Sequence, residues 1–293
     1  MNISGKVNRK ALIDLMFHVS SKDNAFDILE QTLQTLDRNA IETTLIECGV
    51  LPEVFEHDSS EEKLWAKYTD ILLARALGFI GMDSQVMRTR GDSADVFAKT
   101  KNYSLVADAK TFRLSRTAKN QKDFKVNALN DWRRKDTYAL LVGPLSQYPT
   151  NSSQIYAQAI ALNVTLFSYV HLNLIMESGI DARNLTPIWE IGKALSKALP
   201  TGEKKSAERY WAKVDSTVCE VLGKSEAELS AVKAVERKTT QRLGNEGINF
   251  WKAEIEKIRT LSKNEAIERL IAAQKIPQKI TQIEKAVTRA LEL

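Results

Sequence analysis

Cysteine, histidine and long apolar runs are all scarce in this chain, and each shortage removes a class of protein. The two cysteines, Cys48 and Cys219, lie far apart, each in a helical and mostly apolar context. They have no metal-ligand spacing and cannot form the disulfide framework of a small secreted domain, so a reducing, cytoplasmic compartment is expected. The best apolar run near the start, Ala11 to Val19, contains Asp14 and His18 and no small-residue cleavage site follows, so no signal peptide is expected. No window reaches the roughly 18 uninterrupted apolar residues of a membrane span, and a soluble protein is expected. The histidines His18, His57 and His171 are scattered and read as structural. A glycine-rich phosphate loop, a serine or cysteine nucleophile arrangement, an internal repeat, a low-complexity linker and a recognisable methyltransferase are all missing.

What is present is a chain of 293 residues, long enough for a substantial core, with 27% charged residues and a net charge of +5. The excess is local. Between Thr111 and Lys135, eight Lys/Arg (Arg113, Arg116, Lys119, Lys122, Lys125, Arg133, Arg134 and Lys135) stand against two acids, Asp123 and Asp131. That window carries more than the whole excess, so the remainder is slightly acidic. A cationic cluster confined to one segment is the footprint of a polyanion partner. Taken alone it also fits a solvated helix face.

Apolar spacing near 3.6 predicts helices over residues 10–49. Ser59 and Glu62 have the spacing of a capping box, opening a helix that runs to about Leu77, with Gly78 or Gly81 as its stop. The period then changes. Residues 94–98, 103–108, 138–142 and 164–167 read as strands, with helical stretches at about 122–135 and 151–161 between them. Continuous apolar strands separated by helices predict an α/β fold, a mixed central sheet with flanking helices. From about Thr186 the chain is helical again, with breaks expected at Pro200-Thr-Gly202, Gly244 and Pro277. A single domain over 1–293 is expected, with a helical N-terminal region at 1–58, a core at 59–180 and a helical C-terminal region at 181–293.

The chemistry gathers at Asp108-Ala-Lys110. Side chains alternate along a strand, so Asp108 and Lys110 share a face. If the two strands around residue 100 form a hairpin turning on Lys101-Asn102, with Asn102 taking the left-handed conformation, Asp95 lies opposite Asp108 at about 5 Å between Cβ atoms. The rival acid, Asp92, would lie beyond the pair, opposite Thr111. Two carboxylates directly opposed repel and destabilise a sheet. A divalent cation removes the conflict, and hard oxygen ligands, with the Ala109 carbonyl among them, suit Mg²⁺. Lys110 offers a donor to orient water and to offset charge on a pentacovalent phosphate. Metal-assisted attack of water on a phosphodiester fits this set. An acid–x–lysine triplet alone also fits a cross-strand salt-bridge ladder.

Asp95 followed by Asp108-Ala109-Lys110 resembles the PD-(D/E)xK nuclease pattern. The run Leu105 to Leu129 (LVADAKTFRLSRTAKNQKDFKVNAL) is similar, nearly residue for residue, to the HindIII-type type II restriction endonucleases. Weaker similarity includes Leu51-Pro-Glu53, Glu62-Lys-Leu64, Gly143 to Pro149, Ser153-Gln-Ile155 and Leu166-Phe-Ser168, covering roughly 45–175. The resemblance implies a restriction-endonuclease-like, EcoRI-like core, with the catalytic and DNA-recognition functions in residues 59–180. It also implies a homodimer that requires Mg²⁺ and cuts palindromic AAGCTT after the first A, leaving 5′ overhangs. Asp95, Asp108 and Lys110 match the catalytic positions, and about Arg113 to Lys125 the recognition segment. The proline that names the motif is Ala94 here, and no acid around Arg88 matches a family position.

Read by residue type, Arg113 and Arg116 suit guanine or phosphate, Asn120 and Gln121 suit adenine, and Asp123 suits the cytosine amino group. Lys119, Lys122 and Lys125 suit phosphates, which fix register without reading sequence. Glu62 is a further candidate metal contact, its other reading being a helix cap. Phe124 and Trp132 are expected in the core. A palindrome calls for two copies of one reading surface, hence a homodimer on double-stranded DNA. A separate methyltransferase would protect host DNA. A structure-selective or repair nuclease would dispense with Asn120, Gln121 and Asp123, and a non-catalytic DNA-binding module would dispense with the opposed acids.

Overall fold

The computed structural model describes residues 8–88, 93–116 and 121–291. The chain divides into two compact units, one running up to Gly244 and one beginning at Asn245.

In the first unit, three helices, α1 (Arg9–Val19), α2 (Ala25–Gln34) and α3 (Arg38–Cys48), precede the long α4 (Ser60–Phe79). Ser59 caps α4 by accepting from the Glu62 N–H at 3.1 Å. The reciprocal half of the predicted capping box is shifted by one residue, because the Glu62 carboxylate accepts from the Asp58 N–H at 2.7 Å instead. Helix α4 buries Leu64, Trp65, Tyr68, Ile71, Leu72, Leu73, Ala76 and Leu77, which is most of its circumference. Such a helix lies inside the core rather than on it.

Five strands follow, β1 (Asp83–Val86), β2 (Val96–Lys99), β3 (Ser104–Ala109), β4 (Tyr138–Gly143) and β5 (Val164–Ser168), in the spatial order β1-β2-β3-β4-β5. The first three pair antiparallel and the last two join in parallel, so the sheet is mixed as predicted. The parallel crossovers carry α5 (Gln121–Phe124) and α6 (Val126–Arg133) between β3 and β4, and α7 (Gln154–Leu162) between β4 and β5. Every residue of β4 and β5 is buried, as expected of parallel strands covered on both faces. After β5 come α8 (Tyr169–Ser178), α9 (Thr186–Trp189), α10 (Ile191–Ala198), α11 (Ala207–Leu222) and α12 (Glu226–Arg259). A 3₁₀ turn at Thr201–Glu203 is the predicted break at Pro200-Thr-Gly202.

Helix α12 runs through Gly244, where a break was expected. Gly244 and Gly247 each cost the helix only about 1 kcal/mol, and the rest of this 34-residue helix contains no further glycine and no proline. The left-handed stop lies earlier, at Gly223 (φ 62°), after α11. Helix α8 and strand β1 are two elements not predicted: in β1, Asp-Ser-Gln-Val is short, polar and half-exposed, and only its pairing to β2 makes it a strand.

The second unit holds the end of α12, then α13 (Lys263–Ala273) and α14 (Ile276–Leu291). Ser262 and Glu265 form a full capping box at the start of α13. Pro277 opens α14 rather than breaking a helix, since a first-turn proline forfeits no helical hydrogen bond. Ile248, Trp251, Ile255 and Ile258 of α12 are each about half exposed at a spacing of three, four and three residues.

Candidate active site

The β2–β3 hairpin has the predicted register, with Val96 opposite Ala107 and Lys99 opposite Ser104, so Asp95 follows on against Asp108. Its turn is built differently from expectation. Asn102 does not have a positive φ. The Thr100 hydroxyl instead accepts from the N–H groups of Asn102 (3.1 Å) and Tyr103 (3.2 Å) and closes the turn from the side.

Asp108 sits near the end of β3 beside Leu141 of β4 and is 2% exposed. Lys110, just past the strand, pairs its ammonium with Asp108 Oδ2. No well-angled hydrogen bond reaches that buried oxygen, which has the ammonium beside it only as an ion pair. The shared face of Asp108 and Lys110 is therefore as predicted.

A third acid, absent from the sequence reading, joins them. Asp70 of α4 is 3% exposed, and one oxygen from each of Asp70, Asp95 and Asp108 lies within 4.8 Å of the other two. Among the described residues this is the cluster of metal-ligating side chains. Lys67, one turn before Asp70, sets its Nζ 2.6 Å from Asp95 Oδ1 and 3.1 Å from Asp70 Oδ2. Burial, then the charge of Asp95, pushes the Asp70 carboxyl well above the usual range against the pull of Lys67. Burial likewise raises Asp108, opposed by Lys110 and assisted by Asp95. Three acids held this closely conflict as anions, which is the condition a divalent cation relieves. The available signal was an aspartate embedded in the apolar run of α4, since a buried carboxylate in an apolar helix is the exception that calls for a reason.

Glu62 does not belong to this cluster. Its Oε2 accepts from the Asp58 N–H and, at 3.2 Å, from Arg113 Nη2. The helix-cap reading thus describes its surroundings better than the metal reading. Arg113 is also turned inward. Its guanidinium donates to the carbonyls of Pro52 (3.2 Å), Glu53 (3.4 Å) and Glu56 (3.2 Å) as well as to Glu62, and its side chain is 15% exposed. In this DNA-free chain Arg113 anchors the segment leaving β3 and is not presented to a groove. Backbone bonds add to the anchor: Phe112 N–H donates to Gly49 O (3.0 Å), and Leu51 N–H donates to Phe112 O (3.1 Å).

Beyond the anchor, Arg116 Nη2 pairs with Asp123 Oδ1 at 2.5 Å, stapling the two ends of the cationic loop. Lys119 and Asn120 lie outside the described residues, and Gln121 and Lys122 open α5. Lys125 has φ 47° at the start of α6, and its ammonium is 5.9 Å from the Trp132 ring centre. The cationic segment thus begins at the acid cluster, where the chain leaves β3. Phe124 is fully buried and stacked on Tyr148, and Trp132 is partly buried against the core, as expected.

A mixed sheet with an acid pair and a lysine at the end of its central hairpin defines a nuclease-like α/β protein. The family model for the HindIII restriction endonuclease matches residues 15–287. The match reaches well beyond the 45–175 legible by eye and includes the C-terminal helices. The chain is also 33% identical over 291 residues to the type II restriction enzyme HindIII of Haemophilus influenzae, covering 94% of each protein. The chain belongs to the HindIII restriction endonuclease family and is a site-specific deoxyribonuclease. Among the described residues no helix is long and apolar enough to cross a membrane.

Proposed function

We propose that the protein is a Mg²⁺-dependent type II restriction endonuclease that cuts double-stranded DNA at palindromic AAGCTT, after the first A, leaving 5′ overhangs. The observation that carries this reading is the convergence of Asp70, Asp95 and Asp108 within 4.8 Å beside Lys110, at the root of the cationic segment. The donors are hard oxygens, and one of them, Asp108 Oδ2, lacks a proper hydrogen bond, a set that fits a divalent magnesium-type ion. Asp95, Asp108 and the Ala109 carbonyl would hold it, with Asp70 added. A bound Mg²⁺ supplies Lewis acidity toward a phosphoryl oxygen and lowers the pKa of water.

The chain's own groups do the rest. Lys110 orients the attacking water and offsets negative charge on the pentacovalent phosphate. As the new O–P bond forms, the O–P bond to the leaving oxygen breaks, and the proton shed by the water passes through solvent to that oxygen. Asn120 and Gln121 read adenine edges, while Arg116 and Asp123 release their mutual pair to meet guanine and cytosine. Lys119, Lys122 and Lys125 hold phosphates, and Arg113 fixes the segment against the body of the enzyme. A palindrome requires a homodimer, and the half-exposed stripe Ile248-Trp251-Ile255-Ile258 offers an apolar seam for a second copy. The enzyme works in the cytoplasm beside a separate methyltransferase that protects the host's own sites.

Sequencing the ends of plasmid DNA digested with Mg²⁺ tests the reading. One common terminus at AAGCTT is expected. Ragged or structure-dependent ends would point to a structure-selective nuclease of the same fold, and binding without cutting to a DNA-binding module. Within the segment, Asn120→Ala is expected to relax specificity by about 1–3 kcal/mol of base discrimination, whereas Lys119→Ala lowers the salt slope by about one with specificity kept. Filter-binding titrations across salt and site variants measure both effects, and the opposite pattern would refute this division of labour.

A further inference from the structure

The acid cluster already holds a cation of its own. Lys67 and Asp70 are separated by three residues on α4, so they share a face of the helix. The Lys67 ammonium lies between two of the three acids, 2.6 Å from Asp95 Oδ1 and 3.1 Å from Asp70 Oδ2. A magnesium-sized ion ligated by those same oxygens would sit about 2 Å from each, in the gap the ammonium fills. The two cations cannot share it.

We infer that Lys67 is a built-in counter-cation, which occupies the gap between Asp70 and Asp95 until a divalent ion arrives and then withdraws, thereby setting the metal affinity of the site. The inference rests on reading the acids as a metal site.

The two lysines of the site differ in the way this role requires. Lys110 is 14% exposed and pairs with Asp108, which is 2% exposed, so moving it would strand a buried carboxylate. Lys67 is 41% exposed and its nearer partner, Asp95, is 34% exposed. Its four-carbon stem can swing the ammonium into water, and its buried partner Asp70, whose side chain is 5% exposed, is then left for the arriving ion to pair. The arrangement has a clear benefit for the metal-free enzyme. Without Lys67, three carboxylates would face one ammonium, and the end of β3 would be held apart by repulsion. With it, the charges of Asp70 and Asp95 are offset in the metal-free chain.

The consequence is counter-intuitive for a residue that touches two candidate ligands. A residue that merely oriented Asp95 would, on removal, loosen the site and weaken metal binding. Removing a competing cation strengthens it. Calorimetric titration of DNA-free protein with Mn²⁺ separates the two. Lys67→Met should bind Mn²⁺ on the order of tenfold more tightly than the wild type. Lys67→Arg, which keeps the charge, should stay near the wild-type value. Lys67→Gln provides a second neutral variant should Lys67→Met fail to fold, with thermal melting reporting on folding. Binding that Asp108→Asn abolishes but neither neutral variant strengthens would overturn the role of Lys67 and leave the metal site standing. Failure of the wild type and of both neutral variants to bind Mn²⁺ would overturn the metal site and this inference together.

Discussion

Among the described residues, two of the buried polar clusters are built on opposite principles. In one, Ser168 at the end of β5 bonds His171 Nδ1 (2.6 Å), His171 Nε2 bonds Asp215 Oδ1 of α11 (2.8 Å), and Asp215 Oδ2 meets Lys233 Nζ of α12 (2.5 Å). Donor and acceptor alternate along the chain, and His171, fully buried, also stacks on Trp211 at 5.9 Å and 9°. Burial lowers the His171 pKa. Burial also works to raise Asp215, but its hydrogen bonds from His171 and Lys233 prevail and hold that carboxyl below the ordinary range. The other cluster crowds Asp70, Asp95 and Asp108 together, leaves Asp108 Oδ2 without a proper hydrogen bond, and raises two of the three acids. Satisfied polarity ties elements together. Three like charges crowded together are tolerated only where cations, here Lys67 and Lys110, offset them. The Ser–His–Asp order of the first cluster imitates a hydrolytic triad, yet Ser168 is fully buried and spends its hydroxyl capping α8.

The comparison breaks most sharply at Asp108. Asp108→Ala should lower the DNA cleavage rate on the order of a thousandfold or more while preserving specific binding supported by Ca²⁺. Appreciable residual cutting would dissolve the distinction between the clusters. His171→Ala should do the reverse, lowering unfolding free energy in urea by about 2–5 kcal/mol by leaving a buried cavity and removing the hydrogen bonds to Ser168 and Asp215 Oδ1, with cleavage per folded molecule unchanged. Loss of turnover at unchanged stability would make that cluster catalytic.

A smaller effect sharpens the contrast. Asp70→Asn should raise the melting temperature of the metal-free protein at neutral pH by about 2–4 °C, because the native state disfavours ionised Asp70. The sign follows from linkage. A carboxyl raised above its ordinary 3.8 binds more protons folded than unfolded, so its contribution worsens as pH rises above that value. The advantage of the variant should therefore shrink as pH is lowered toward 4. A melting temperature that falls in the variant across this range would mean that Asp70 stabilises the fold.

Much of the sheet and half of the site were legible in the sequence, for physical reasons. Strand alternation and hairpin arithmetic are local, so the shared face of Asp108 and Lys110 and the register setting Asp95 against Asp108 could be counted out. Ser59 as a cap was equally local. Asp70 was missed because it reaches the site across a helix–sheet packing contact, and nothing in the spacing of α4 says which of its faces meets β3. Of the two readings of Glu62, the cap was local and legible, whereas its pairing with Arg113, far along the chain, was not. The turn at Thr100 shows a side-chain oxygen doing what a left-handed asparagine was expected to do.

The central claim is that the three acids form one metal site at the scissile phosphate. Anomalous diffraction from crystals of the protein with cognate DNA and Mn²⁺ measures it directly. The account predicts a peak bounded by carboxylate oxygens of Asp95 and Asp108, with Asp70 at the same centre and Lys67 displaced from it. A peak elsewhere, or none between these residues while DNA is bound, would contradict it.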